Sequence, residues 1–461
     1  MANEWQSARL IPVAGSGSGR ENEQRATSAL LAVLSIVRPF SVSLLSPLGA
    51  PRAVRATVET FLEPSFTTSS GATGRPDGLV RITSGTKAPF VALVEVKTGT
   101  NKLDPGQINL YIEIARAEGF DCVLTISNEI APQQGVHPTA GVTVRKNSRV
   151  QLHHLSWTSV LTQAVMEKTN QRVSDPEQAW ILDQLVLYLK HSASGATGFE
   201  DMGPNWVAVR DGARDGTLKK RDEAVGETAE RWDQLLRFVA LTLGSEIGED
   251  VQEVMPKQHR ADPRARTTGF IDQLCAEGSL SGVLRIPHTV DDMRITADLK
   301  ARQISISTKI DTPPNRQGRG SISWLVNQLR DSPSQVIVTG YAKNSRSGIS
   351  STLAEVREDH GVLLNDGQRD IAKFELITRT ELGQNRRRGK PSSFVDSLVT
   401  ATTNFYGGVL QELQAYQPRA PRLKEDTEPP QSVSERPTQL QGPPPEPSVL
   451  PQHHWERGLG S

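Results

Sequence analysis

Cysteine is nearly absent: Cys122 and Cys275 are the only two in 461 residues, so no disulfide framework can hold this chain together. With Cys122 set in an apolar run, the usage points to a reducing compartment. Long hydrophobic runs are also missing, and the first residues lack the charged-then-apolar pattern of a secretion signal. No membrane contact and a cytoplasmic location are expected. Neither sign of charge is in excess, with 52 Lys+Arg against 52 Asp+Glu, so any grip on nucleic acid must come from local basic surface. Several catalytic motifs are missing too. Gly15-Ser-Gly-Ser-Gly19 lacks the Gly-Lys-[Ser/Thr] ending of a phosphate-binding loop, and no strand precedes it. There is no Gly-x-Ser-x-Gly elbow for a serine hydrolase and no Cys-x-x-Cys pair for zinc. Without an ATPase loop, any translocation has to come from a partner.

What is present is concentrated between residues 76 and 111. Gly78-Leu-Val-Arg-Ile-Thr83 alternates apolar and polar side chains, the pattern of a half-buried strand. Ser84-Gly-Thr-Lys87 supplies a turn, and Phe90-Val-Ala-Leu-Val94 is apolar throughout, as a strand buried on both faces is. Strand alternation then puts Glu95 and Lys97 on one face and Val96 on the other. Asp77 enters at the start of the neighbouring strand, within reach of the same spot. Two carboxylates there suit Mg²⁺, which takes hard oxygen ligands and keeps several waters. A water on such an ion is made more acidic and can act as a nucleophile, with Lys97 placed to orient it or to offset growing negative charge. Asp104 caps a helix that starts at Pro105, carries Gln107, Leu110, Tyr111 and Ile114, and ends at Gly119. A further buried strand, Phe120–Ile126, follows. Asp298-Leu-Lys300 repeats the acid-x-lysine spacing, but another strand follows it instead of a helix, which makes it a decoy.

The run Arg75-Pro-Asp-Gly…Val94-Glu-Val-Lys97, in the order strand, strand, helix, strand, resembles the PD-(D/E)XK nuclease superfamily. The resemblance covers about residues 20–130. It implies a restriction-endonuclease-like fold, a mixed central sheet flanked by helices. It also implies Asp77, Glu95 and Lys97 as catalytic residues, with Asp77, Glu95 and Val96 in the metal set. In that superfamily the first core helix often supplies a glutamate to the metal. Glu23, on the helix expected from Glu21 to Leu34, is similar to that residue, with Glu21 the alternative; both also read as helix-start carboxylates favoured by the dipole. Gln107 and Tyr111 are similar to a Gln-xxx-Tyr pair in one branch. The implied function is Mg²⁺-dependent cleavage of DNA, with Mn²⁺ as a substitute and an endonuclease favoured over an exonuclease. RNA is a further substrate class. A bacterial defence role follows from resemblance and layout, with DNA, a second copy of the chain or a defence-system protein as partners. The other function class is a catalytically silent nuclease fold that binds nucleic acid or a protein.

At this length the chain exceeds one core. The expected division is a flexible N-terminus (1–19), the nuclease-like domain (20–155), a helical linker or docking region (156–250), a separate α/β domain (251–416) and a disordered Pro-rich tail (417–461). Within the first domain, strands are expected at Val54–Phe61, Val142–Val144 and Val150–Leu155. His153 and His154 are adjacent on a strand and so face opposite ways, which rules against joint metal ligation. Ser156 and Asp175 are expected helix caps, and Trp232, Leu235, Leu236 and Val239 form an apolar helix stripe. Arg316, Arg319 and Arg386-Arg-Arg388 with Lys390 lie in loops, where they suggest phosphate contacts or a solvated surface.

Overall fold

Helix α1 (Gly19–Ile36) buries Ala26, Leu30, Leu31, Val33 and Leu34, a spacing of three and four that gives one apolar stripe. Pro39 does not end the helical region. It sits in the first turn of α2 (Arg38–Leu45), where its missing N–H costs nothing, and the chain bends by 109° between the two helices. The structure, a computed structural model, describes residues 11, 19–52, 56–68, 71–131, 137–142, 144, 148–170, 172–196, 198–314, 316–364 and 370–417. The expected tail beyond Gln417, most of the expected flexible N-terminus, and Val54, Arg55 and Thr143 lie outside the described residues.

The first sheet is built from β1 (Thr57–Leu62), then β4 (Gly78–Thr83) and β5 (Phe90–Val96), with a small hairpin of β2 (Phe66–Thr67) and β3 (Thr73–Gly74) between β1 and β4. Helix α3 (Pro105–Glu118) leads into β6 (Cys122–Ser127), and β7 (Gln151–Ser156) closes the sheet. The order is β1-β4-β5-β6-β7: the first two pairings are antiparallel and the last two parallel. Every residue of β5 is buried, because helices cover both faces of the sheet. Ala92, Val94 and Val96 face a core shared with α1, α2, α4 (Trp157–Thr169) and α5 (Pro176–Lys190); Val91 and Leu93 face α3. Asp104, Ser156 and Asp175 cap α3, α4 and α5 as expected. Val142 and Val144 belong to no strand.

The second core forms around α6 (Trp206–Asp215) and α7 (Glu223–Ile247), which carries Trp232, Leu235, Leu236 and Val239 inward. Strand β8 (Gln252–Glu253) and helices α8 (Lys257–Ala261) and α9 (Pro263–Glu277) come next. Then β9 (Ser279–Arg285), β10 (Met293–Asp298), β11 (Gln303–Asp311), α10 (Arg319–Gln328), β12 (Ile337–Tyr341), β13 (Gly348–Thr352), α11 (Leu353–Glu358), β14 (Lys373–Glu381) and α12 (Phe394–Gly408) complete it. The sheet order is β13-β12-β14-β11-β10-β9-β8, antiparallel throughout, with alternate residues of β10 and β11 buried.

The helices expected to form a linker therefore divide between two cores: α4 and α5 complete the first, α6 and α7 the second. They also join the cores, since Thr162 on α4 donates to the Leu241 carbonyl on α7 at 2.9 Å. Residues up to Tyr416 form one compact unit. The whole is mixed α/β, and among the described residues no single helix is long and apolar enough to cross a membrane.

Candidate active site

Antiparallel register places Asp77 opposite Glu95, because Gly78 pairs with Val94. The Asp77 Oδ2 accepts the Val96 N–H at 2.8 Å, which ties its carboxylate to the end of β5. Glu95 shares a sheet face with Leu93 and is 1% exposed. Lys97, two residues on, donates from Nζ to Glu95 Oε1 at 2.6 Å. Glycine at 78 lets α1 approach: a Cβ there would meet Leu31 Cδ1 at 2.5 Å. That approach brings in Glu23, whose Oε2 stands 3.8 Å from Lys97 Nζ while its Oε1 accepts from Asn101 Nδ2 at 2.6 Å.

Of the residues singled out in the sequence, Asp77, Glu95, Lys97 and Glu23 come together. Gln107 and Tyr111 act one step back: Gln107 Nε2 donates to the Tyr111 hydroxyl at 2.8 Å, which donates to the Arg75 carbonyl at 3.0 Å. They fix the chain that delivers Asp77. His154 is half-buried and bonds Thr125, the residue in register with Glu95, and Asp298 lies at a strand end where it accepts the Ala301 N–H. The decoy therefore holds a turn.

Burial pushes the Glu95 carboxyl up to about 7, and the neighbouring Asp77 adds to this against the pull of Lys97. Asp77 is raised for the same first reason, although the Val96 N–H and Lys97 both oppose the rise. Burial works to lower the Lys97 ammonium, but Glu95, Asp77 and Glu23 outweigh it and hold the group above its ordinary value. Glu95 Oε2 is buried, and the Asp77 carboxyl stands beside it. Two buried carboxyls side by side share a proton when nothing else is bound, and a cation would take that proton's place. Among the described residues no three His, Cys, Asp or Glu side chains cluster tightly enough to hold a metal by themselves. Asp77 and Glu95 carry oxygens of the kind a hard divalent ion takes, Val96 donates its N–H to Asp77 Oδ2, and Glu23 is engaged with Lys97 and Asn101.

Sequence reading missed the groups that hold the loop after Lys97. Gly99 N–H donates to the Gly195 carbonyl at 2.8 Å, and Asn128 Nδ2 donates to the carbonyls of both Gly99 and Gly195. Gly195 has φ +68°, and a Cβ on it would lie 3.2 Å from the Gly99 nitrogen. Gly195→Ala is therefore expected to strain its backbone, displace the Thr98–Asn101 loop and loosen Glu23. The expected result is a melting temperature lower by several degrees, measured by calorimetry; an unchanged protein would show that the contact carries no strain. Thr125, in register with Glu95 on β6, was also missed. His137 Nδ1 accepts the Thr139 N–H, which leaves Nε2 as the donor to Thr125 Oγ1 at 2.8 Å. His154 Nε2 donates to the Glu129 carbonyl, so its Nδ1 accepts from Thr125. Both imidazoles are thus neutral, and burial depresses them to about 4 (His137) and about 3 (His154).

The arginine loop lies at the surface, where Asp201 lies within 3.7 Å of Arg386 and 3.3 Å of Arg387, and Asp396 pairs with Arg388 at 3.3 Å. These half-exposed pairs offset part of its charge. No protein-family model, curated protein or solved structure matches the chain.

Proposed function

We propose that the chain is a Mg²⁺-dependent nuclease that hydrolyses phosphodiester bonds of DNA, an endonuclease in which Mn²⁺ substitutes for Mg²⁺. The observation that carries the reading is the buried Glu95 carboxyl, with Lys97 on one oxygen and the Asp77 carboxyl beside the other. The arrangement of α1, then β1-β4-β5 antiparallel, then α3 leading to β6 parallel to β5, agrees with the core order of the PD-(D/E)XK superfamily and supports the reading.

In this mechanism Asp77, Glu95 and the Val96 carbonyl hold the ion. A bound Mg²⁺ supplies a more acidic water and withdraws charge from phosphoryl oxygens. Lys97 stays charged, orients the attacking water or offsets the charge that grows on phosphate, and is itself aimed by Glu95 and Glu23. Gln107 and Tyr111 hold the Arg75–Asp77 turn in place. A role in bacterial defence follows as the biological setting of such an activity.

The test is incubation with supercoiled plasmid, linear duplex, single-stranded DNA and RNA in Mg²⁺, in Mn²⁺ and in EDTA. The expected result is DNA cleavage in either metal and none in EDTA, with plasmid nicked before linear ends recede. Absence of cleavage on every substrate would overturn the reading in favour of a silent binding fold.

A further inference from the structure

Strand β1 ends at Leu62, opposite Gly78, and the next residue turns as a non-glycine rarely does: Glu63 enters the left-handed region, at φ +47°. Its N–H donates to the Asp77 carbonyl at 3.1 Å, and its carbonyl accepts from Arg75 Nε at 3.3 Å. Its carboxylate is shared. Oε2 pairs with the Arg75 guanidinium, and Oε1 accepts from Gln24 Nε2 at 2.9 Å. Gln24 follows Glu23 on α1, so Glu63 ties the Arg75–Asp77 turn to the helix that carries Glu23.

Magnitudes argue against a role in stability. Left-handed backbone is unfavourable for glutamate, and glycine or asparagine would adopt it more easily. The ion pair that accompanies it is open to water, with the Arg75 side chain 59% and the Glu63 side chain 28% exposed. Pairs of that kind contribute little. Backbone strain that its own contacts do not offset belongs with sites that need a fixed geometry. The geometry fixed here is that of Asp77. Tyr111 on α3 holds the Arg75 carbonyl, and the Val96 N–H on β5 holds the Asp77 carboxylate. Glu63 holds the same turn from the side of β1 and α1.

We infer that Glu63 is a positioning residue of the candidate active site: through Arg75 and Gln24 it sets the Asp77 carboxylate against the Glu23 end of α1. It touches neither metal nor phosphate itself. This role rests on the nuclease reading for its purpose, but the hold on Asp77 is measurable in metal-free protein.

The test compares wild type, Glu63→Asn and Arg75→Met. Asparagine keeps the left-handed turn on a shorter, uncharged side chain, and Arg75→Met removes the ion pair from its other end. Amide hydrogen exchange in EDTA reads the Val96 N–H, whose acceptor is Asp77 Oδ2. Exchange at Val96 is expected to be about tenfold faster in both variants, with Leu124 on β6 unchanged. The melting temperature of Glu63→Asn is expected to be unchanged or raised. Mn²⁺ affinity, read from the electron paramagnetic resonance of the free ion, is expected to be about tenfold weaker in both variants. Val96 exchange that stays at the wild-type rate would overturn the inference. So would Val96 and Leu124 accelerating together, the mark of lost global stability, or variants that bind Mn²⁺ as tightly as wild type does. A wild type that binds no Mn²⁺, with the Val96 effect intact, would sink the nuclease reading and leave Glu63 holding Asp77. Mn²⁺ binding with Val96 unmoved would do the opposite.

Discussion

Lys97→Ala lowers metal-dependent DNA cleavage by about 10²–10³-fold, the loss that follows removal of one preorganised charge stabiliser. The Lys97 Nζ is the group 2.6 Å from Glu95 Oε1, whereas the Asn101 side chain bonds on the far side, at Glu23. Removing it leaves Glu95 buried beside Asp77 without its cation, so Glu95 is driven further up and holds the metal less well. Two defects are therefore superposed, and a titration separates them. Excess Mg²⁺ is expected to restore metal binding but not the rate, because the charge that acted on water or phosphate is gone. A rate fully restored by metal would show that Lys97 works only by keeping Glu95 ionised.

Glu95→Gln is expected to raise the stability of the metal-free protein at high pH and to lower activity as much as Lys97→Ala does. In the metal-free protein the Glu95 carboxyl is raised to about 7 from 4.5, so the folded chain holds its proton more tightly than the unfolded chain does. The sign follows from linkage: this group's contribution is complete below 4.5 and is lost as pH rises through 7. At pH 8 a buried carboxylate has to stay charged in the fold. Glutamine keeps its shape and removes that charge, so metal-free Glu95→Gln is expected to be more stable at pH 8 by up to about 3 kcal/mol. Denaturant melts at several pH values check this, with the mutant losing part of the decline between 4.5 and 7. Glu253, also pushed up to about 7 by burial, contributes a similar decline to both proteins, so the difference between them reports on Glu95. Mg²⁺ is expected to stabilise wild type by mass action and to leave Glu95→Gln unmoved, while cleavage is lost. A mutant that is stabilised by Mg²⁺ as strongly as wild type would show that Glu95 does not hold the ion.

The parts of this molecule that were legible in its sequence are those with local signals. The strands Gly78–Thr83 and Phe90–Val96, the caps at Asp104, Ser156 and Asp175, and the convergence of Asp77, Glu95 and Lys97 all follow from periodicity and short-range chemistry. Glu23 was legible only as a position on a helix, since its contact with Lys97 depends on how closely α1 approaches over Gly78. Helix α6 lies within the region expected to be helical but was not singled out, although Trp206, Val209 and Ala213 form its buried stripe. The ion pairs of the arginine loop were not legible for a different reason. Asp201, which pairs with Arg386 and Arg387, is far from them in the chain, and nothing in the spacing announces the meeting. The same holds for Gly195 beside Gly99: a glycine in a loop has many explanations, and the backbone that crowds it is visible only after folding.

The central claim is that Asp77, Glu95 and Lys97 form one metal-dependent hydrolytic site. The most direct measurement is the rate of supercoiled plasmid nicking by wild type and Asp77→Asn across a Mg²⁺ titration, with EDTA as the zero point. The predicted result is a rate that rises with Mg²⁺ and saturates for wild type, with no nicking by Asp77→Asn at any concentration. Nicking in EDTA, or an Asp77→Asn protein that cuts as fast as wild type, would contradict it.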